Sequence, residues 1–263
     1  MDIELEKDSA PNIEQFLKER NIEAVVFDVD NTVFATGEGF VEDVMKIGFK
    51  VAKYVNNDKS PEVIAQEYSD MTFGTYVRRG SKPTLIDALC KEGIIKYLGE
   101  EAECLVDEII GDDLKDFYKK VPMLYKNSVL AIRSVLQSKV NVAFHSHAQE
   151  DWTKRKISFL GNELGGINLP FLATSIDEIK DRESWMRSFA LVGGYVKNIM
   201  VVGDGVEFDL VPAMEAGCEY VVWLNGKDRP IPEILYEYKK KGKFIYMIKD
   251  IGDLRYLSDD YLI

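Results

Sequence analysis

Short, unbroken apolar runs recur along the chain, and they constrain its fold more than any other feature of the sequence. The first run, residues 24–27, follows a polar segment and directly precedes Asp28. A short run without polar alternation is typical of a strand that is buried on both faces, as in a parallel sheet. Helical patterns separate most of the runs, which predicts a doubly wound, parallel α/β sheet. The predicted strands are residues 24–27, 140–144, 171–174, 199–202, 220–224 and 244–248.

The segment between the first two predicted strands has a different pattern. Val41, Val44 and Val51 recur at helical spacing, and Ser60 followed by Pro61 is typical of a helix start. The segment is too long for an ordinary crossover connection. We therefore predict an inserted α-helical cap at residues 37–121, within a catalytic core of residues 1–36 and 122–263. Helices are also predicted at residues 11–20, 84–89, 101–110 and 128–137.

Charge and cysteine content argue against several classes of function. The chain has 33 Lys plus Arg and 45 Asp plus Glu residues, a formal net charge of −12, which disfavours nucleic acid and anionic membranes as partners. The three cysteines have neither disulfide-framework nor metal-ligand spacing, which indicates a reducing compartment. The sequence has no signal-like N-terminus and no apolar run of membrane-spanning length. We expect a cytoplasmic protein, and the sequence carries no indication of its oligomeric state.

Reactive side chains follow several of the predicted strands. Open α/β sheets bind ligands beyond the carboxyl ends of their strands, so these side chains are expected to converge on one pocket. The carboxylates among them would repel one another without a cation, and oxygen ligands beside a phosphate favour Mg²⁺. The side chains are Asp28, Asp30 and Thr32 after the first strand, Ser146 at the second, Lys180 after the third, and Asp204 and Asp209 after the fourth.

These groups suit phosphoryl transfer. A carboxylate can attack phosphorus and form an aspartyl-phosphate. A second carboxylate, one residue removed, can serve as general acid and then as general base. The Ser146 hydroxyl and the Lys180 ammonium hold the phosphoryl oxygens and stabilise charge in the transition state.

The order and spacing of these residues resemble the haloacid dehalogenase (HAD) superfamily. Residues 27–32, Phe-Asp-Val-Asp-Asn-Thr, are similar to its first motif, an apolar strand followed by Asp-x-Asp-x-Thr. Residues 203–209 resemble the fourth motif, Gly-Asp followed by a second Asp, and residues 141–146 resemble the second, a strand that ends in Ser or Thr. Lys180 corresponds to the lysine of the third motif. The resemblance spans about residues 24–247, and the predicted insertion corresponds to the family's cap.

The resemblance implies a role for each motif residue. Asp28 would be the nucleophile and a Mg²⁺ ligand, and Asp30 the general acid/base, whose main-chain carbonyl also touches the metal. Asp204 would bind Mg²⁺, with Asp209 as a further ligand or as its support. Dehalogenases and phosphonatases of the superfamily lack an acid at the Asp30 position, so the resemblance is to phosphatases and phosphomutases. The residues implied to bind the phosphoryl group are Thr32, Ser146 and Lys180.

Two departures from the family pattern leave assignments open. His147 stands where Asn often follows the second-motif Ser, and Asp181 stands where Pro often follows the lysine. His147 is either a residue at the edge of the pocket or a structural one. The phosphate-binding lysine is Lys180, or one of the alternatives Lys154, Lys156 and Lys197.

The sequence predicts a Mg²⁺-dependent phosphatase that hydrolyses a small phosphate monoester, a phosphorylated metabolite, through an aspartyl-phosphate. Three alternatives stay open: a phosphomutase that uses the same acids, a phosphorylatable signalling protein, and a binding or scaffolding protein that has kept the fold. In the predicted cap, Arg78 and Arg79 lie either in a solvated loop or against an anionic substrate.

Overall fold

The architecture is that of a computed structural model. The structure describes residues 12–55, 58–78, 86–111, 114, 117–175 and 178–263. The strands are β1 (Ala24–Asp28), β2 (Asn141–Ser146), β3 (Phe171–Ala173), β4 (Ile199–Gly203), β5 (Tyr220–Leu224) and β6 (Phe244–Ile248). The α-helices are α1 (Ile13–Glu19), α2 (Thr36–Val51), α3 (Pro61–Arg78), α4 (Ile86–Leu98), α5 (Val106–Ile110), α6 (Ser128–Gln137), α7 (Glu150–Glu163), α8 (Arg182–Val192), α9 (Val211–Glu215) and α10 (Glu233–Lys240).

All six strands form one parallel sheet in the order β3-β2-β1-β4-β5-β6. Strand β1 lies in the middle of the sheet. Strands β2 and β3 extend the sheet to one side of β1, and β4, β5 and β6 extend it to the other side. This order confirms the predicted doubly wound parallel α/β sheet. It also places the carboxyl ends of β1, β2 and β4 side by side, at the point where the direction of winding changes.

Helices cover both faces of the sheet because strand side chains alternate between the faces. On one face, Val25 and Phe27 of β1 pack in a hydrophobic cluster with residues of α1, α6 and α7. On the other face, Ala24 and Val26 pack with residues of α8, α9 and α10. Both faces of β1 are therefore buried, as its unbroken apolar run predicts. Of the helices that the structure describes, none combines the length and apolar content needed to cross a membrane.

Helices α2 to α5 lie between β1 and β2 in the chain and share a third hydrophobic cluster. Val44 and Ile47 of α2 and Tyr68 of α3 belong to this cluster, and so does Trp152 of α7. The helical insertion thus packs around its own core and contacts the sheet domain through α7. The boundaries at residues 37 and 121 stay a prediction.

Most predicted elements are present, with shifted ends. The strand predicted at 140–144 runs on to Ser146, so that residue is part of the sheet. The helix predicted at 101–110 is a 3₁₀ segment, Glu100–Leu105, followed by the short helix α5. The helix predicted at 84–89 is α4, which begins at Ile86 and extends to Leu98, where Gly99 follows with a φ of 102°. Residue 11 and the segment 79–85 lie outside the described residues.

The aromatic pair at the centre of the sheet gives a stability prediction. Phe144 is fully buried, and its ring stacks on that of Phe27 at a centroid distance of 5.7 Å. Phe144→Ala should lower the free energy of unfolding by about 3–5 kcal/mol, because it removes buried apolar surface and leaves a cavity. Phe159→Ala, at a position that is 40% exposed, is the matched control and should cost far less. Equal losses in urea denaturation would contradict this packing.

Candidate active site

The acidic residues meet at the carboxyl edge of the sheet because three neighbouring strands end there. Asp28 is the last residue of β1, and Asp204 directly follows β4. Asp209 returns to the same place from a short π-helical segment, Val206–Leu210. Single carboxylate oxygens of Asp28, Asp204 and Asp209 lie within 4.8 Å of one another. The structure therefore brings together the three carboxylates that the sequence suggests as metal ligands.

Gly203 allows this close approach. A Cβ atom at this position would lie 2.6 Å from the Cβ atom of Asp209, closer than packed atoms tolerate. Asp209 is fixed further by its Oδ2 atom, which accepts a hydrogen bond of 2.8 Å from the main-chain N–H of Gly205. Asp209 is thereby held facing the end of β1.

Lys180 bridges two of the three carboxylates. Its Nζ atom lies 2.5 Å from Oδ1 of Asp28 and 2.6 Å from Oδ1 of Asp209. It also donates to the main-chain oxygen of His145 at 3.1 Å. Burial disfavours the charged ammonium, but Asp209 and Asp28 outweigh this and raise the pKa of Lys180 above its usual value. Lys180 therefore carries a full positive charge beneath the carboxylates.

The acidic cluster fits a divalent cation. Burial and the negative charge of Asp209 raise the pKa of Asp28 well above its usual range, and the same two causes raise the pKa of Asp204 to about 7. The Oδ2 atom of Asp28 is buried and has no hydrogen-bond partner among the described residues. A bound cation would relieve the repulsion between the three acids, and carboxylate oxygens are the ligands that Mg²⁺ prefers.

Asp30 lies in a tight turn after β1 and is held by three donors. The main-chain N–H of Asn31, a residue with a φ of 62°, donates to the main-chain oxygen of Phe34, which folds the chain back after Asp30. Oδ1 of Asp30 accepts from Thr36 Oγ1 and from Lys156 Nζ, both at 2.6 Å, and Oδ2 accepts from Ser146 Oγ at 2.7 Å.

The charge state of Asp30 follows from these partners. Burial opposes its ionisation, but the Lys156 ammonium and the hydrogen bonds from Lys156, Thr36 and Ser146 outweigh burial and lower its pKa. Asp30 is therefore a carboxylate in this arrangement, in contrast to Asp28, whose pKa is raised.

Lys156 and Lys180 both reach the site, so both stay candidates for the phosphate-binding lysine. Lys156 is fully buried on α7, and its Nζ atom lies 3.9 Å above the ring centre of Trp152. It contacts Asp30, whereas Lys180 contacts Asp28. The other two candidates differ: Lys197 is exposed and pairs with Glu219 at 3.1 Å, and Lys154 is exposed on α7.

The departures from the family pattern have structural explanations. Asp181 is the N-cap of α8, where its side chain accepts a hydrogen bond from the main-chain N–H of Ser184. His147 Nε2 lies 2.8 Å from the main-chain oxygen of Glu178 and must donate to it. The two contacts hold the backbone at Glu178, before Lys180, and at Asp181, after it. His147 thus supports the segment that carries Lys180.

The structure gives less support to the predicted roles of Thr32 and of the Arg78–Arg79 pair. Thr32 is fully buried, and its Oγ1 has no hydrogen-bond partner among the described residues. No hydrogen bond ties its side chain to the other site residues, and phosphate binding by Thr32 stays a prediction. Arg78 ends α3, and Arg79 lies outside the described residues.

Sequence reasoning missed the residues that support the site. Thr36, at the start of α2, had no pattern that distinguished it from an ordinary helix start. Arg229 donates to the main-chain oxygen of Asp204 at 2.7 Å, and Trp223 Nε1 donates to the same oxygen at 3.2 Å. Only the position of Trp223 on a predicted strand next to β4 could have suggested its contact with Asp204.

The sequence matches no protein-family model, and no curated protein is significantly similar to it. Solved structures do match. A haloacid dehalogenase-like family hydrolase from Xanthomonas campestris has 12% identity and a TM-score of 0.62, over 89% of both chains. YfnB from Bacillus subtilis, assigned as a HAD hydrolase and bound to magnesium, has 14% identity and a TM-score of 0.58, over 89% of this chain and 96% of the other.

A HAD phosphatase from Thermococcus onnurineus has 13% identity and a TM-score of 0.55, over 89% of this chain and 96% of the other. Dehalogenases are also among the matched structures. At these identities the likeness establishes a shared fold. The chain has the HAD-like α/β fold that its motifs predict.

The buried histidine of β2 gives a pH prediction. Burial and the charge of Lys180 keep the pKa of His145 well below the ordinary histidine value of 6.5. The unfolded chain therefore binds this proton more readily, and the stability contributed by neutral His145 is lost as the pH falls below about 6.5. In His145→Gln, the free energy of unfolding should depend less steeply on pH than in the wild type. Between about pH 6.5 and 5, its slope should be smaller by up to about 1.4 kcal/mol per pH unit.

The measurement is urea denaturation of both proteins across this pH range. Asp28 and Asp204 titrate in both, so their effects cancel in the difference. His147, the other histidine of the chain, serves as the control through His147→Gln, because burial lowers its pKa less. Parallel curves for wild type and His145→Gln would refute the neutral, buried state of His145.

Proposed function

We propose that the protein is a Mg²⁺-dependent phosphoric monoester hydrolase that acts through a phosphorylated Asp28. The observation that carries the proposal is the arrangement of Asp28 and Asp30, two acids with opposite pKa shifts at the end of one strand. Two carboxylates whose surroundings separate their pKa values are suited to different catalytic roles. The HAD-like fold supports the proposal, and so does the acid at Asp30, which the dehalogenases of that family lack.

The nucleophile is the free oxygen of Asp28. Lys180 binds Oδ1, which leaves the buried Oδ2 without a partner among the described residues. In the first step Oδ2 attacks phosphorus, the Asp28–phosphorus bond forms, and the bond to the ester oxygen breaks. Ser146 and Lys180 hold the phosphoryl oxygens during this transfer.

Asp30 moves the protons. It gives a proton to the departing ester oxygen, and as a carboxylate it then takes one from the water that attacks the aspartyl-phosphate, releasing inorganic phosphate. The low pKa of Asp30 in the substrate-free arrangement suits the second step. For the first step, a bound phosphate that engages Ser146 removes one hydrogen bond from Asp30, and its negative charge raises the pKa of this acid.

The metal site consists of the side chains of Asp28, Asp204 and Asp209, with the main-chain carbonyl of Asp30. When bound there, Mg²⁺ offsets the negative charge of the acids and of the phosphoryl group. The substrate is a small phosphorylated metabolite, and residues 37–121 form the cap over the site.

Asp28→Asn tests the nucleophile. The amide cannot form the acyl-phosphate, so phosphate release from p-nitrophenyl phosphate with Mg²⁺ should fall by at least about 10³-fold. Asp151→Asn, an exposed acid on α7, is the matched control and should keep full activity. Chelation of Mg²⁺ should abolish the wild-type activity, and added Mg²⁺ should restore it.

Three outcomes would contradict the proposal. Turnover by Asp28→Asn at more than about a tenth of the wild-type rate excludes the covalent role. Undiminished turnover after complete metal removal excludes the metal. Return of the phosphoryl group to a second position of the substrate, without phosphate release, indicates a phosphomutase.

Asp30→Asn tests the proton transfers. A general acid contributes about 10²–10⁴-fold, and less where the leaving group is already acidic. The loss of kcat/KM should therefore be larger for an alkyl phosphate than for p-nitrophenyl phosphate. Equal losses on both substrates would mean that Asp30 has a structural or metal-binding role. Lys156→Met is a useful companion, since it removes one hydrogen-bond donor to Asp30 but leaves the acid in place.

A further inference from the structure

A cavity of about 530 Å³ opens beside Asp204 and extends away from the reacting acids. Its floor is formed by the segments that follow β5 and β6, including Leu224 and Ile251. Its opposite wall is formed by α2 and α3, through Val41 and Phe73. The cavity is large enough for the organic part of a small substrate, and it is adjacent to the proposed phosphate site.

Part of the floor is a hydrogen-bonded loop, residues 225–229. The buried side chain of Asn225 forms hydrogen bonds with both main-chain groups of Arg229. Its Nδ2 atom donates to the Arg229 main-chain oxygen at 2.8 Å, and its Oδ1 atom accepts from the Arg229 main-chain N–H at 2.9 Å. The segments after β5 and β6 also touch, since a Cβ atom at Gly226 would lie 3.0 Å from the main-chain oxygen of Lys249. These contacts hold the backbone of the loop in place.

This floor carries three cationic side chains, Lys227, Arg229 and Lys249. Lys249 pairs with Asp228 at 2.6 Å, an exposed ion pair of small energetic value. Arg229 bonds main-chain oxygens and lies over the ring of Trp223. Its charge acts on the nearby Asp204 carboxylate and opposes the rise of that acid's pKa, but the two side chains form no direct ion pair. Lys227 is exposed and forms no ion pair with another described residue. In a chain of net charge −12, the floor thus brings three cationic side chains to one cavity.

Three acids also border the cavity, and two of them have other roles. Asp204 belongs to the metal site, and Asp250 caps the segment Ile251–Tyr256 with its side chain. Glu38, at the start of α2, also lines the cavity and forms no ion pair with Lys227, Arg229 or Lys249. The three cations can therefore bind an anionic ligand.

We infer that the substrate carries a second anionic group, a carboxylate or a second phosphate, which binds to Lys227, Arg229 and Lys249. This inference rests on the proposed function, because the cavity joins the proposed phosphate site at Asp204. The apolar side chains that also line the cavity suit a short carbon chain, and the cations select for a charged end. Lys227 helps to bind the second anionic group of the substrate, whereas the acids at the end of β1 act on its phosphate ester.

The test compares two esters of the same shape, 3-phosphooxypropanoate and its neutral amide 3-phosphooxypropanamide, with propane-1,3-diyl bisphosphate as a third arm. The wild type should prefer the carboxylate to the amide by about tenfold in kcat/KM, mainly through KM. Lys227→Gln should reduce this preference about fivefold, because the carboxylate loses one of its cationic partners. Lys240→Gln, an exposed lysine of α10 that does not line this cavity, is the matched control. The bisphosphate arm shows which anion is bound more tightly.

Each outcome decides the inference. A carboxylate preference that is lost in Lys227→Gln and kept in Lys240→Gln supports it. Equal kcat/KM for acid and amide in the wild type overturns it, while the proposed function stands. If no ester is hydrolysed, the proposed function fails, and calorimetric binding of the same acid and amide to the wild type replaces the kinetic comparison. Tighter binding of the acid, dependent on Lys227, then still supports an anion site, and equal binding overturns it.

Discussion

The crowding of carboxylates at one edge of the sheet is the constraint on which the rest of the site depends. Asp28, Asp204 and Asp209 approach within 4.8 Å, and buried negative charges at this distance repel unless cations offset them. Lys180 supplies part of the offset, with contacts of 2.5 and 2.6 Å to two of the acids. The start of α8 directly after Lys180 fixes its backbone, so this positive charge is part of the fold. The charge that remains unbalanced is the reason why we propose a divalent cation at this place.

Asp30 connects this edge to the helical insertion. Thr36, one of its three hydrogen-bond donors, is the first residue of α2, the helix that leads into the insertion. Lys156, another donor, stacks on Trp152, whose Nε1 atom donates to the main-chain oxygen of Lys120 at 2.9 Å, where the insertion returns to the core. The proposed acid/base therefore shares contacts with both connections of the insertion. Burial of these contacts strengthens them, because the surrounding medium is less polar than water.

Much of the fold was predictable, because the strands of a parallel sheet have a characteristic sequence pattern. All six strands were located, since burial on both faces requires unbroken apolar runs. Element ends were less predictable: β2 continues through His145 and Ser146, two polar residues that are buried because each finds a partner in the tertiary structure. The segment 101–110 divides into two kinds of helix, a difference in hydrogen bonding that the composition of the segment does not reveal.

The sequence by itself determined the alternation of strands and helices and the identity of the acids at the strand ends, because these depend on local apolar patterns and on topology. It did not determine the partners of each acid. That Lys180 binds Asp28 while Lys156 binds Asp30 was decided by the tertiary structure, since both lysines lie far along the chain from the acids and reach them only when the sheet has formed. The same holds for the cationic floor at Lys227 and Arg229, whose relation to Asp204 arises only from the packing of β5 beside β4.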